Sequence, residues 1–327
     1  MDVEAKGGAL MARILVTGGA GFIGSNLVRG FLNRGDEVVV IDNFSTGRRE
    51  NLADIEDRIR LVEGSITDYD TVCDALDGVD GVSHQGALPS VPKSLDIPLV
   101  TNEANITGTL TLFEACRRMG VRRVVYAASS SAYGDHDAPR KHEGLDPRPK
   151  SPYAVQKLVG ELYGAVYHDL FGLETIGLRY FNVFGPRQNP NSQYAAVVPA
   201  FVCRMLDGES PTIYGDGGQS RDFTYIDNVI GANQAALAAP ASACGRVYNI
   251  ACGESATLLD LIDGINDILG TSIRPDHVAP RAGDVRHSLA DVSAATEAFG
   301  YEPRVKLPEA LRLTVEWYRG QRPAPEE

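Results

Sequence analysis

Long apolar runs are missing from this sequence: none of its segments approaches the ~18 residues of a membrane-spanning helix, and no secretory leader pattern is present. A cytoplasmic protein that does not enter the membrane is therefore expected. Cysteine is scarce as well. The five residues Cys73, Cys116, Cys203, Cys244 and Cys252 are odd in number and scattered. With no CxxC pair and no Cys/His cluster among them, neither a disulfide framework nor a metal site is expected. Positive charge is short: 31 Lys and Arg stand against 43 Asp and Glu, a formal charge of −12. A nucleic-acid or anionic-membrane surface needs a basic footprint and is excluded on that ground. An anionic small ligand is not excluded, because it needs only local arginines and backbone donors. Repeats and low-complexity segments are also absent.

What is present is the composition of a soluble globular protein, with 43% hydrophobic and 23% charged residues in 327. That length supports one large domain with a smaller lobe. The first ten residues are polar and Gly-rich, so residues 1–11 are expected to be a flexible extension. Short apolar runs then alternate with helical patterns. Strands are expected at 13–17, 37–41, 59–63, 81–85, 123–128 and 175–180, with a long helix over 99–119 and another from Pro152. Continuous apolar strands are those buried on both faces, and the alternation implies a parallel sheet between two helical layers. After residue 183, loops rich in Gly and Pro interrupt shorter elements, and helices are expected at 196–206, 227–238, 258–269 and 307–318.

Two motifs sit where such a sheet binds ligands, beyond the carboxyl ends of its strands. Gly18, Gly21 and Gly24 lie between the first strand and the first helix. Glycines there permit a tight turn and let backbone N–H groups approach a pyrophosphate at the helix N-terminus. Asp42, about 20 residues on at the end of the second strand, is placed for an adenosine ribose 2′-OH and disfavours a 2′-phosphate, so NAD is expected rather than NADP. Arg48 and Arg49 follow it closely. The second motif is Tyr153 and Lys157, four residues apart and therefore on one helix face. A phenol ionises near pH 10, and bringing it to neutrality takes about 4 kcal/mol. A nearby ammonium and a cationic cofactor ring are expected to supply this in a dry cleft.

These motifs, the Ser129-Ser130-Ser131 run before Tyr133-Gly134, and Arg179-Tyr180-Phe181-Asn182 together resemble the extended short-chain dehydrogenase/reductase family. Gly217 to Phe223 and Arg281 to Asp284 resemble its nucleotide-sugar epimerase branch. The similarity covers essentially Arg13 to Tyr318. It implies a Rossmann-type α/β fold, a doubly wound parallel sheet at 12–182 with a smaller C-terminal α/β substrate lobe at 183–327 and an interleaved boundary. By the resemblance the cofactor is NAD, contacted by Gly18, Gly21, Phe22, Ile23, Asp42, Asn43, Ser45, Thr46, Gly47, Ser65, Ile66, Gln85, Gly86, Ala87, Asn105, Tyr180 and Val183 together with the catalytic residues. Ser65 stands where the family usually has Asp, and Gly86 where Ala is usual.

The family triad falls on Ser129, Tyr153 and Lys157, with Ser130 and Ser131 as competitors for the hydroxyl and Ser131 a candidate sugar contact. The implied partner is a UDP-sugar, held by Ser90, Val91, Ser131, Tyr153, Asn182, Ala196, Val197, Thr212, Tyr214, Arg221, Arg281, Asp284 and Ser288. Relatives that remove water carry Asp-Glu after the catalytic hydroxyl, and decarboxylating relatives carry a Glu in that loop. Ser130 and Ser131 occupy those places here, which leaves a 4-epimerase acting through a transient 4-keto sugar. Ser288 stands where epimerases restricted to plain hexoses carry Tyr, so room for a 2-acetamido group is expected. Pro89 replaces a usual Gly in the pocket wall. UDP-GlcNAc and UDP-GalNAc are therefore the expected pair, with UDP-Glc and UDP-Gal as further substrates. A strict UDP-glucose epimerase, a UDP-glucuronate epimerase or decarboxylase, and a nucleotide-binding sensor are the alternatives. A homodimer through the 99–119 and Tyr153 helices is also implied.

Overall fold

The computed structural model describes residues 12–190, 196–280 and 286–322. The expectations for residues 1–11 and for Arg281 and Asp284 lie outside the described residues.

In chain order the first half contains β1 (Arg13–Thr17), α1 (Phe22–Arg34), β2 (Glu37–Asp42), β3 (Ile59–Glu63), α2 (Tyr69–Ala75), β4 (Gly81–His84), α3 (Val91–Asp96), α4 (Pro98–Asn102), α5 (Gly108–Met119), β5 (Arg123–Ser129), α6 (Pro152–Phe171) and β6 (Glu174–Tyr180). The second half contains β7 (Val183–Phe184), α7 (Val197–Leu206), β8 (Thr212–Tyr214), β9 (Ser220–Arg221), β10 (Thr224–Tyr225), α8 (Ile226–Ala238), β11 (Arg246–Ile250), β12 (Ala256–Thr257), α9 (Leu258–Leu269), β13 (Asp276–Val278), β14 (His287–Ser288), α10 (Ser293–Phe299) and α11 (Leu307–Gly320).

Seven parallel strands form the main sheet in the order β11-β6-β5-β4-β1-β2-β3. The central strands β1 and β2 are largely apolar because both faces are covered, whereas β3 at the sheet edge exposes Arg60 and Glu63. In β1, Ile14 and Val16 pack with Leu27, Val28 and Phe31 of α1, while Leu15 packs on the other face with Val72, Leu112 and Phe113. The chain runs outward from β1 to β3 and then returns to place β4 on the other side of β1. That reversal leaves a crevice at the carboxyl ends of β1 and β4, where Thr17 and His84 are in register.

The seventh strand, β11, comes from beyond residue 183 and pairs with β6, and α8 packs against α1 and β5. The large sheet is thus completed by chain that follows β7 to β10 and helices α7 and α8. The remaining strands make small sheets (β10-β7, β12-β9-β14 and β13-β8) beside α7, α9 and α11. The helix expected over 99–119 is a composite: α4 continues through a π turn, Glu103–Thr107, into α5. Such wide turns are common at functional sites. Helix α6 starts sharply because the Ser151 side chain accepts from Ala154 N–H and Pro152 needs no partner there; Gly172 ends it with φ 71°.

Candidate active site

The Gly-rich turn is shaped for a close approach. Gly18 has φ 65°, and a Cβ on it would lie 2.8 Å from the Cα of Gly86. A Cβ on Gly24 would lie 2.1 Å from the Gly18 carbonyl oxygen. Helix α1 begins just beyond, with neither a side-chain cap nor an acidic residue in its first turn, so its N–H groups and positive dipole end remain available to a phosphate. Phe22 and Ile23 open that helix. Asp42 is buried at the end of β2; its carboxylate accepts from Ala20 N–H at 2.9 Å and from Phe44 N–H at 2.8 Å. Burial pushes its pKa up and those two bonds oppose the shift. The loop Asn43 to Gly47 folds over this carboxylate, and a Cβ on Gly47 would reach within 3.0 Å of it. Arg49 is engaged elsewhere, stacked 4.2 Å from the Phe44 ring and paired with Glu63.

Ile66 packs against Gly86, and Ser65 bonds Thr67 within the turn that follows β3. Gln85 donates to Ser83 Oγ at 3.1 Å, while its buried Oε1 has no partner among the described residues. Asn105 clasps the backbone of Leu88 beyond Ala87. Tyr180 ends β6, accepting from Asn233 at 2.8 Å, and Val183 follows on β7. A glycine cradle that a Cβ would fill, an uncapped helix N-terminus, a buried carboxylate and an orphaned amide oxygen fit a dinucleotide.

Ser129 is the last residue of β5. Its Oγ accepts from Ser131 N–H at 3.2 Å and from Ser131 O–H at 2.8 Å. The Ser129 side chain also meets the Tyr153 phenol, an interaction that lowers the phenol pKa. The hydroxyls thus line up as Ser131 to Ser129 to Tyr153, which favours Ser129 over its neighbours as the partner of the phenol. Lys157 Nζ donates to the Ala127 carbonyl at 2.8 Å. Burial pushes the Tyr153 pKa up, and the Ser129 side chain opposes that shift. The ammonium itself is weakened, its pKa lowered to about 8 by burial, with Glu161 opposing. Four residues beyond Lys157, Glu161 takes a two-pronged bond from Arg179 at 2.9 and 2.6 Å, both side chains buried.

Among the residues expected at the sugar, Asn182 has φ 33° and donates to the Asp222 carbonyl at 2.9 Å. Arg221 lies on β9, directly beside Ser288 on β14. Its guanidinium donates to the Ser220 carbonyl at 2.9 Å. Thr212 and Tyr214 bound β8, paired with Asp276 and Val278 of β13. Ala196 caps α7, Val197 begins it, and Ser90 caps α3, which starts at Val91.

Several residues that organise the site carry no motif. The buried Asp222 carboxylate gathers the N–H groups of Cys252, Gly253 and Ala290 at 2.8, 3.0 and 3.2 Å. Asn249 bonds Tyr133, Lys141, Asp291 and Glu143. His84 and Glu161 are likewise buried in apolar-looking stretches. Among the described residues, no group of three or more His, Cys, Asp or Glu could hold a metal, and no helix is long and apolar enough to cross a membrane.

Residues 14–251 match the model of the NAD dependent epimerase/dehydratase family. The chain is 38% identical over 313 residues to a UDP-glucose 4-epimerase of Mycolicibacterium smegmatis, covering 94% of this chain and 99% of that one. Among solved structures it resembles a UDP-N-acetylglucosamine 4-epimerase from Methanobrevibacter ruminantium in complex with UDP-N-acetylmuramic acid, with a TM-score of 0.90 and 40% identity over 95% of this chain and 99% of that one. It also resembles the Thermus thermophilus UDP-glucose 4-epimerase complex with NAD, with a TM-score of 0.86 and 37% identity over 94% and 99% of the two chains.

Proposed function

The chain belongs to the NAD-dependent epimerase/dehydratase family, and from that premise we propose that it is a UDP-sugar 4-epimerase acting chiefly on UDP-GlcNAc and UDP-GalNAc, with UDP-Glc and UDP-Gal as further substrates. The observation that carries the reading is the hydroxyl line ending on Tyr153, beside Lys157, at the carboxyl end of β5. NAD supplies a hydride acceptor that stays bound and gives the hydride back. The Gly18–Gly24 turn and Asp42 would hold it, and Gln85 and Lys157 would face it. Tyr153 takes the proton of the C4 hydroxyl as the C4–H bond is broken and a 4-ketone forms, and it returns that proton when the opposite face is reduced. Ser129 keeps the phenol oxygen in place. Ser130 and Ser131 offer no carboxylate for water loss, so the ketone has no route to a dehydrated product. Inversion needs the sugar to turn while its nucleotide stays fixed. Arg221 and Asn182 would hold the diphosphate, since a guanidinium matches its oxygens two at a time.

Product analysis with UDP-GlcNAc, UDP-GalNAc, UDP-Glc, UDP-Gal and UDP-glucuronate tests the assignment. Each member of the two named pairs is expected to yield its C4 epimer, and UDP-glucuronate to be returned unchanged. The choice of the acetylated pair rests on the half-buried Ser288 beside Arg221. Ser288→Tyr should therefore lower turnover of the acetylated pair at least about tenfold, the size of effect a misfitting pocket wall produces. Unchanged turnover would remove Ser288 as the determinant.

A homodimer is part of the same reading. Helix α6 leaves Val155, Leu162, Val166 and Leu170 exposed on one stripe, and Leu95, Leu99 and Val100 are exposed on α3 and α4, Leu99 at 84%. A contiguous apolar face of this kind marks an interface. Light scattering should give twice the chain mass, and Leu162→Glu with Leu170→Glu should give the monomer. A wild-type chain that is monomeric at micromolar concentration would refute it.

A further inference from the structure

His84 closes β4 at the switch point, in register with Thr17. It is buried, takes no part in the chemistry above, and belongs to a hydrogen-bond line whose protons can be counted. Thr17 Oγ1 accepts from two backbone donors, Gln85 N–H at 3.1 Å and Gly86 N–H at 2.9 Å. Both lone pairs are then engaged, so its own O–H goes to the remaining neighbour, His84 Nδ1, at 2.7 Å. Nδ1 is therefore the bare nitrogen, and the proton is on Nε2. That N–H faces Thr109 Oγ1 at 3.0 Å, and the Thr109 O–H passes on to the Asn105 carbonyl at 2.7 Å. A second proton on the ring would meet the Thr17 O–H head-on. Burial and the neighbouring Lys157 charge also disfavour it, lowering the imidazole pKa to about 3.

Both ends of this line grip one loop. Thr17 holds Gln85 and Gly86. Asn105, at the other end, accepts from Leu88 N–H at 2.7 Å and donates to the Leu88 carbonyl at 3.2 Å. The same Asn105 amide donates to Gln156 Oε1 at 2.8 Å, one residue before Lys157. The loop is thereby tied to the strand that leads into the Gly-rich turn and to the helix that carries Tyr153. Resting on the NAD-site reading above, we infer that His84 is a positioning residue for the dinucleotide. As a neutral imidazole protonated on Nε2, it sets the loop Gln85–Leu88 between the Gly-rich turn and the catalytic helix.

The proton arrangement is tested on the intact protein by ¹⁵N NMR of its histidines, with His84 assigned by comparison with His84→Gln. The expected result is an unprotonated Nδ1, a protonated Nε2 and no titration from about pH 5 to about pH 9. A proton on Nδ1, or titration in that range, would overturn the inference. Its consequence is tested by the dissociation constants of NAD and of UDP. His84→Leu, which removes both polar atoms, and Thr109→Val, which removes one link, should weaken NAD about tenfold and leave UDP unchanged, as expected for one buried hydrogen bond left unmade. His84→Gln offers an acceptor and a donor on one planar group and should stay within about twofold of wild type. Unchanged NAD affinity in His84→Leu, or equal losses in the Leu and Gln variants, would also overturn it. Should His84→Leu not fold, Thr109→Val and the spectrum decide. A wild-type chain that binds no NAD at all would instead sink the functional reading, leaving the tautomer result to stand by itself.

Discussion

Tyr153→Phe is expected to slow epimerisation about a thousandfold while leaving NAD and UDP-sugar affinity within about threefold of wild type. The size follows from the removal of a general base, which contributes 10²–10⁴ in rate. The sparing of binding follows because the ring stays and only the hydroxyl is lost. The measurement is turnover of UDP-GlcNAc, with the near-ultraviolet absorbance of reduced nicotinamide as a second signal that should fail to develop. A variant retaining a tenth of wild-type turnover would remove Tyr153 from the chemistry. The pH profile of the native enzyme carries related information. Lys157 has its pKa lowered to about 8, so its ammonium is present below that pH and lost as pH rises through it. The rate should therefore decline on the alkaline side, from about pH 8 upward.

Glu161→Gln is expected to destabilise the fold by about 3 to 5 kcal/mol, read from denaturant midpoints. Arg179 and Glu161 are 3% and 7% exposed and pair through two bonds, so removing one charge strands the other in the interior. The Arg179 guanidinium also lies 4.7 Å from the Tyr133 ring centroid, which holds it where it cannot turn out to water. A double replacement, Glu161→Leu with Arg179→Met, should recover much of that loss, because it strands no charge. The two variants separate stability from chemistry. Glu161 opposes the lowering of the Lys157 pKa, so its neutralisation should push that pKa further down. The alkaline limb of the rate should then move to lower pH in both variants, whatever their stability. A Glu161→Gln protein that unfolds at the wild-type midpoint would show that the pair carries no net weight.

Much of this molecule was legible from residue order. Apolar runs of five or six residues alternating with helical patterns imply a parallel sheet, and six of its seven strands were expected within a residue or two. Spacing alone put Gly18, Gly21 and Gly24 at a helix start, and Tyr153 and Lys157 on one helix face. These are local properties, set by the helical and strand periods and by what a glycine or proline permits at one position. The seventh strand escaped because β11 joins the sheet only after β7 to β10 and two helices have intervened. The expected long helix gave no sign of its π turn at Glu103–Thr107.

What tertiary structure alone decided was which polar groups meet. The pairing of Ser129, rather than Ser130 or Ser131, with the Tyr153 phenol depends on where β5 ends against α6. The lowered pKa of Lys157 depends on burial that its spacing from Tyr153 does not reveal. Asp222 finds Ala290 across 68 residues, and His84 stands between Thr17 and Thr109 with partners 67 and 25 residues away. No pattern along the chain announces such partnerships. A buried polar atom must be satisfied by whatever the packing of distant segments brings within about 3 Å, and that distance exists only once the chain has folded.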